Sequence, residues 1–358
     1  MRELIYIRPG QLEWREAPDP TLQHPEDAIV RPIASTLCDI DCMFLHGRGT
    51  ELFPGPFAIG HECVAEIVAL GDGVNNRYPG QLVVVNWHIA CGKCDRCRDN
   101  HANACRNHPP HASFGLPWRE SWGGMFSDLL RVPYANFALT PLPPGVDPVH
   151  VASATDNISY GYENTVPHLK TYPGAPVLVM GGASIGLYSA MFAKAAGSSQ
   201  VDYIDTDAAR LAIAERLGAN AIESAPPQRA KGRYPIVVDG STSPEGLQCA
   251  LRSVEPEGIV ASAGGHLKAS VPLPLHEMWV RGLTLTIAPG PHGTTVPAVL
   301  DWVSAGRVRP ELVTSEVANF DDAPRILAKP SPKPVLARPP IHGAGHWRLP
   351  AAPETKSA

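Results

Sequence analysis

The stretch VLVMGGASIG, residues 177–186, decides how this chain folds. Its four leading apolar residues read as a strand buried on both faces, and the glycines turn the chain into SIGLYSAMFAKAAG, a helix ended by Gly197. Gly181 serves the tight turn and Gly186 the close packing of helix on strand, while Ala183 stands where a G-x-G-x-x-G fingerprint has its middle glycine. Further on, VDYID ends in Asp205, a carboxylate positioned to accept from ribose hydroxyls. Gly181, Gly182, Ala183, Ser184, Ile185, Gly186 and Asp205 are therefore the expected dinucleotide contacts. Thr206 and Asp207 bring no positive charge for a 2'-phosphate, so the expected cofactor is NAD rather than NADP. Those two residues also lie closer to the next helix and can cap it, which leaves Asp205 for a ligand.

Downstream the alternation continues through DAARLAIAERLG, PIVVDG, PEGLQCALRSV, GIVASAGG and LTLTIAPG. Strand and helix in turn imply an α/β architecture, a parallel sheet with helices on both faces. Upstream of Pro173-Gly174 the rhythm differs: DAIVRPIAS, CVAEIVALG, QLVVVNW and SDLLRVPYA are β-type runs bounded by turn residues. The apolar spacing of DPVHVASATDNISYGYE predicts a helix at the junction, and VPAVLDWVSAGRV and FDDAPRILAKP read as helices that return to the first domain. The expected division is residues 1–157 with 295–338, residues 158–294, and a tail, 339–358, disordered or loosely docked. A docked tail would reach a neighbouring subunit through Trp347.

The chain has 358 residues, of which 44% are hydrophobic and 18% charged, enough for two soluble domains. A formal charge of -5 with scattered Lys and Arg leaves no basic footprint for nucleic acid. No run of 18 apolar residues and no signal-peptide core occurs, so no membrane partner and a cytoplasmic location are expected. Four of the eight cysteines fall in CGKCDRCRDNHANAC, at C-x2-C-x2-C-x7-C spacing. Cys91, Cys94, Cys97 and Cys105 supply four thiolates for a closed, structural zinc tetrahedron in a lobe spanning 88–110, with an iron–sulfur cluster as the alternative that iron content would separate.

Cys38-x-x-Asp41, then Gly60-His61-Glu62, then the four-cysteine lobe, then a Gly-Gly pair and VPYAN, then the nucleotide turn, occur in that order. Over residues 1–338 this series resembles the zinc-containing medium-chain alcohol dehydrogenase family. The resemblance implies a mostly-β GroES-like catalytic domain and a Rossmann domain with a doubly wound parallel sheet. It also implies a catalytic zinc at Cys38, His61 and Asp156 with Glu62 beside the ion, hence two zinc ions per chain. Asp156 is assigned because DNISYGY matches the segment in which the third ligand precedes a Gly-Tyr pair. One thiolate, one neutral imidazole and one carboxylate neutralise Zn²⁺ and leave a fourth position open. The implied activity is reversible oxidation of small-molecule alcohols, with hydride passing to NAD, in a homo-oligomer, dimer or tetramer. HGRGT and VPYANFAL are similar to formaldehyde-type members, and polyol and amino-alcohol substrates belong to the same class.

One departure from the family stands out. Members usually carry Ser or Thr two residues after the ligand cysteine and many carry His five residues after it, whereas this chain has Ile40 and Met43. Three accounts follow: a relay rebuilt from Asp39, Asp41, Ser159 or His46 with water, direct exit of the proton, or a zinc- and NAD-binding protein that does not oxidise simple alcohols. The first is the expectation, which makes Asp41 a candidate catalytic residue. By resemblance Asn86, Trp87 and His88 lie near the zinc, and Trp118 or Trp122 forms a pocket wall or fills the core. A nucleic-acid-binding zinc module is disfavoured by the acidic charge and by the lobe's spacing.

Overall fold

Apolar runs cut short by proline and glycine leave little room for long elements in the N-terminal part. The computed structural model describes residues 1–342 except Arg119, Gly264, Lys268, Ala269, Pro289, Pro291 and His292. Trp347 and the rest of the tail beyond 342 lie outside the described residues. The chain begins with β1 (Arg2–Arg8), β2 (Gln11–Glu16), β3 (Ala28–Thr36), α1 (Asp39–Leu45), β4 (Phe57–Ala58), β5 (Glu62–Leu70) and β6 (Leu82–Val85). The four-cysteine lobe contributes α2 (Asp95–Arg98), and β7 (Leu130–Val132), α3 (Ala135–Ala138) and β8 (Leu139–Pro141) follow it.

Next come α4 (Asn157–Glu163), α5 (Val166–Thr171), β9 (Val177–Met180), α6 (Ser184–Ala195), β10 (Val201–Asp205), α7 (Ala208–Arg216) and β11 (Asn220–Glu223). They are followed by β12 (Tyr234–Asp239), α8 (Pro244–Ser253), β13 (Val254–Ser262), α9 (Leu275–Arg281) and β14 (Thr284–Ile287). The described chain closes with α10 (Val296–Ser304), β15 (Glu316–Asn319), α11 (Ala323–Leu327) and β16 (Pro334–Ala337). Two compact units result. The first holds Met1–Asp156, α10 and the chain from Thr314, and the second holds the chain from Asn157 through β14 together with Ala305–Val313.

In the first unit β2-β1-β4 form a small sheet, and β15-β16-β3-β5-β6-β8 form a larger one, with β7 pairing β3 off that path. Register matters here. Thr36 of β3 pairs with Glu62 of β5, and Val335 of β16 pairs with Thr36 on the other side. One end of this sheet therefore brings together the segments that carry Cys38, His61 and Lys333.

The second unit is a six-stranded sheet, β11-β10-β9-β12-β13-β14, with all pairings parallel. β9 is at most 1% exposed at each of its four residues, as its unbroken apolar run requires when helices cover both faces. The chain moves outward from β9 to β10 and β11, then returns to β12 on the other side of β9. This reversal leaves a crevice at the carboxyl ends of β9 and β12, where doubly wound sheets take ligands.

The expected helix over DPVHVASATDNISYGYE is shorter in fact. Its first half is a series of tight turns, with Val151 N donating to Pro148 O, Ala154 N to Val151 O and Asp156 N to Ser153 O, and the helix starts at Asn157. The β-branched Val149, Val151 and Thr155 lower the helix propensity of that half.

Candidate active site

Cys38 occupies the residue before α1 in extended conformation, and Asp41 reaches back to accept a hydrogen bond from its backbone N–H at 3.1 Å. His61 directly precedes β5, next to Gly60, whose φ of +94° and close contact with Phe126 exclude a side chain. Asp156 ends the turn series, whose Thr155 hydroxyl accepts from the N–H of Trp87. These three segments converge. Cys38, His61 and Asp156 each offer a ligand atom, all within 4.8 Å of one another. Nε2 of His61 lies 3.2 Å from Oδ2 of Asp156, close to the edge of about 3.3 Å in a tetrahedron with zinc-to-ligand arms of about 2.0–2.1 Å.

The charge balance of the site also fits a dication. Asp39, Asp41, Glu62 and Asp156 are all buried around Cys38 and His61, against one buried ammonium, Lys333. Burial, then Asp156 and Glu62, push the Cys38 thiol well above its usual range, so a cation is what would hold it as thiolate. Burial opposes charge on His61, yet Asp41 and then Asp156 bring its pKa to about 9. Burial in turn raises Asp41 to about 6, against the pull of His61. Asp41 Oδ2 lies 3.5 Å from Nδ1 of His61, a charge contact rather than a hydrogen bond.

Glu62 is not one of the converging ligands. One of its oxygens accepts from the Ser153 hydroxyl and the other from Nζ of Lys333 at 2.6 Å, while Lys333 also donates to the Leu37 carbonyl at 2.7 Å. Lys333 and Ser153 were missed in the sequence, where neither stands at a fixed spacing from the motif.

Of the other residues singled out in the sequence, Trp87 lies with its ring 5.0 Å from that of His61 and is stacked on His88. Asn86 and His88 are buried beside it. Trp118 packs on Phe53, and Trp122 bonds Glu120 and lies under Arg131. Ile40 and Met43 sit in α1, Asp39 is its first residue, and His46 is exposed at its end. Ser159 is buried in α4.

In the lobe, Cys91, Cys94, Cys97 and Cys105 converge in the same way. Sγ of Cys97 lies 4.0 Å from that of Cys91 and 3.5 Å from that of Cys94, near the edge of about 3.8 Å set by zinc–sulfur arms of about 2.3 Å. Burial pushes the Cys97 and Cys105 thiols up, and backbone amides act against it. Those of Arg106 and Cys97 bring Cys94 down to about 6, and the amide of Cys91 donates to Cys105 Sγ.

In the second unit, Gly181 and Gly182 both have positive φ, and a Cβ on Gly182 would collide with the Gly240 carbonyl. Likewise a Cβ on Gly186 would meet the Gly181 carbonyl. Ala183 stands at the N-cap position of α6, and Ser184, Ile185 and Gly186 form its first turn, the positive end of the helix dipole, which favours an anion. Asp205 ends β10 as expected but is not a lone carboxylate. Arg210 forks onto both of its oxygens at 2.7 Å, and Tyr203 and the amides of Thr206 and Asp207 also donate to it. Thr206 and Asp207 bring no positive charge, as expected, but Arg210, which the sequence reading did not consider, does. Arg210 is the third residue of α7, beyond the residues that the strand end suggested. Asp207 caps that helix by accepting from the amide of Arg210.

Residues 24–144 match a family model described as the alcohol dehydrogenase GroES-like domain. A probable zinc-binding alcohol dehydrogenase of Mycobacterium tuberculosis is 28% identical over 328 residues, 90% of this chain and 83% of that protein. A glutathione-independent formaldehyde dehydrogenase of Pseudomonas aeruginosa is 30% identical over 230 residues, 61% of this chain and 57% of that protein. Among solved structures, an alcohol dehydrogenase from Thermus sp. ATN1 superposes with a TM-score of 0.85 at 30% identity, covering 94% of this chain and 99% of that one. No helix among the described residues is long and apolar enough to cross a membrane.

Proposed function

Because the chain belongs to the zinc-containing medium-chain alcohol dehydrogenase family, with a GroES-like domain and a Rossmann-type sheet, we propose that Cys38, His61 and Asp156 hold its catalytic zinc and that its dinucleotide is NAD. The protein is an oxidoreductase acting on the CH–OH group of small-molecule alcohols. The observation that carries the assignment is the convergence of three ligand atoms of neutralising charge within 4.8 Å. Zinc supplies Lewis-acid polarisation of an alcohol oxygen, and the dinucleotide supplies the hydride acceptor.

The chain's own residues do the rest. Asp41 places negative charge beside Nδ1 of His61, whose Nε2 faces Asp156. Ser153 and Lys333 tie down Glu62 by one donor to each carboxylate oxygen, which holds it beside the site without its competing for the ion. Trp87 presents an apolar face next to His61, suited to the carbon skeleton of an alcohol. Ile40 and Met43 carry no proton, and Asp41 accepts from the Cys38 amide through Oδ2.

NAD is favoured at the end of β10 by two carboxylates, Asp205 and Asp207, against one guanidinium, Arg210, a balance that repels a 2'-phosphate. A second, structural zinc belongs in the lobe. We also propose a homo-oligomer, supported by the apolar residues Leu275, Trp279 and Val280 of α9 and Ile287 of the edge strand β14, all more than 60% exposed. The eight cysteines, none of them in a disulfide, suit the cytoplasm.

Zinc content measured together with NADH formation over primary, secondary and polyol alcohols tests the assignment. The wild-type protein is expected to hold two zinc ions, and Cys38→Ser to hold one and form no NADH. A Cys38→Ser protein with both ions and wild-type turnover would remove Cys38 from the site.

A further inference from the structure

A cavity of about 680 Å³ lies in the first unit, where the end of β16 meets the start of β1, the middle of β3 and the turn that follows β15. That volume suits a small organic molecule. Three guanidiniums, those of Arg2, Arg31 and Arg338, border it together with Leu129, Pro339 and Ile341. The cavity is remote from the metal centre. Arg31 pairs with Glu66 across β3 and β5, whereas Thr36, next to the Cys38 segment, pairs with Glu62, five residues or roughly 17 Å further along the strand.

The three guanidiniums are not equivalent. Arg2 donates from its backbone N–H, Nε and Nη2 to the oxygens of Asp128, and from Nη2 to Asp321 as well. Arg338 lies over the Phe320 ring at 4.0 Å and donates to the carbonyls of Pro32 and Ser127 and to the Asp128 carboxylate. Both are thereby fixed and paired with a carboxylate. Arg31 is half-buried and donates from Nη1 to the Pro339 carbonyl, and among the described residues no carboxylate lies within ion-pair distance of it. Its register partner Glu66 accepts instead from the amides of Ile341 and His342 and contacts the His342 ring. Burial pushes Arg31 below its usual range, and burial together with the Arg31 charge brings Arg338 down to about 10. Positive charge is thus crowded at Arg31 and Arg338 without a partner of its own.

We propose that this cavity binds an aliphatic monocarboxylate, its carboxylate on Arg31 and its chain along Leu129, Pro339 and Ile341. A guanidinium presents parallel N–H donors that match the two oxygens of a carboxylate. Ile341, 56% exposed, and the half-buried Leu129 and Pro339 give the hydrocarbon chain a surface to leave water for. Asp128, Asp321 and Asp322 border the same cavity and repel a second negative charge, which selects a monoanion over a phosphate dianion. The site stands apart from the metal and dinucleotide readings, so its failure leaves both intact.

Calorimetric titration of the zinc-loaded, full-length protein with hexanoate, and separately with inorganic phosphate, tests the proposal. Hexanoate is expected to bind the wild type about tenfold or more tighter than phosphate does, and Arg31→Gln to weaken hexanoate by a similar factor. A carboxylate held at the metal centre instead would bind the wild type and Arg31→Gln alike. Ile341→Glu leaves Arg31 in place and sets a carboxylate at the cavity wall, so it is expected to lose hexanoate as well while keeping wild-type zinc content. In the wild type, hexanoate should also slow amide hydrogen exchange at Ile341 and His342. Equal hexanoate affinity in all three proteins would overturn the proposal, as would a wild type that binds no hexanoate or binds phosphate as tightly.

Discussion

At Glu62 two donors from distant parts of the chain, the Ser153 hydroxyl and the Lys333 ammonium, take one carboxylate oxygen each. Both members of the ion pair are at most 1% exposed, so removing one leaves an uncompensated buried charge, at a cost of about 3–5 kcal/mol. Lys333→Met is therefore expected to lose about that much stability in a denaturant titration, and Lys333→Met with Glu62→Gln to recover part of it. At Asp205, burial would raise the carboxyl, but the Arg210 fork and the amides of Asp207 and Thr206 outweigh it and hold it below its usual range. The folded value then lies below the unfolded one, so the stabilisation is complete above the unfolded value and is lost as pH falls through the folded value. Arg210→Gln is expected to cost about 1–2 kcal/mol at neutral pH. The gap from the wild type should narrow as pH drops below about 4, which thermal melts across that range would reveal.

The cysteine lobe is an element whose core is its ligands. Among the described residues, Cys91, Cys97 and Cys105 are buried in a small cluster with Ala90 and Ala102, against which the half-buried Tyr134 and Phe137 pack. Little hydrophobic area holds it closed, so its folding is coupled to the metal. Chelation or Cys97→Ser should therefore speed amide hydrogen exchange across 88–110 and leave that of β9–β13 unchanged. By contrast, α9 has no buried residue and shows Trp279 at 77% exposure, and β14 is the edge of the parallel sheet. Such a face is stable in water only at the cost of exposed apolar area, and covering it with a second copy removes that cost. Trp279→Glu with Ile287→Glu is expected to lower the mass measured by sedimentation without lowering the zinc content.

Across the whole molecule, the end of the chain completes its beginning. β16 lies against β3, and just beyond it the buried carboxylate of Glu66 on β5 accepts from the amides of Ile341 and His342. Burial opposes charge on Glu66, and these bonds hold its carboxyl below its usual range. Truncation after Arg338 leaves Glu66 without those donors and should cost about 1–3 kcal/mol. Truncation before Pro334 removes a strand of the sheet and should prevent folding of the first unit, as judged by circular dichroism and zinc content.

Much of this was legible along the chain because it depends on short-range pattern. Alternating strand and helix with a glycine turn specified the parallel sheet, since period and turn chemistry act within a few residues. The spacing of Cys91, Cys94, Cys97 and Cys105 specified a metal lobe, since one loop can wrap one ion. The junction helix failed for a local reason too, as tight turns through Pro148 to Asp156 displaced its first half. What the chain order did not reveal were the partners of its buried charges. Lys333 meets Glu62 because β16 and β5 both flank β3 in one register, Arg210 turns back on Asp205 through the first turn of α7, and His266 meets Asp239 because β12 and β13 end level. Periodicity tells which residues are buried, but which buried charge faces which is set by strand register between distant segments. That register is decided only when the sheets assemble.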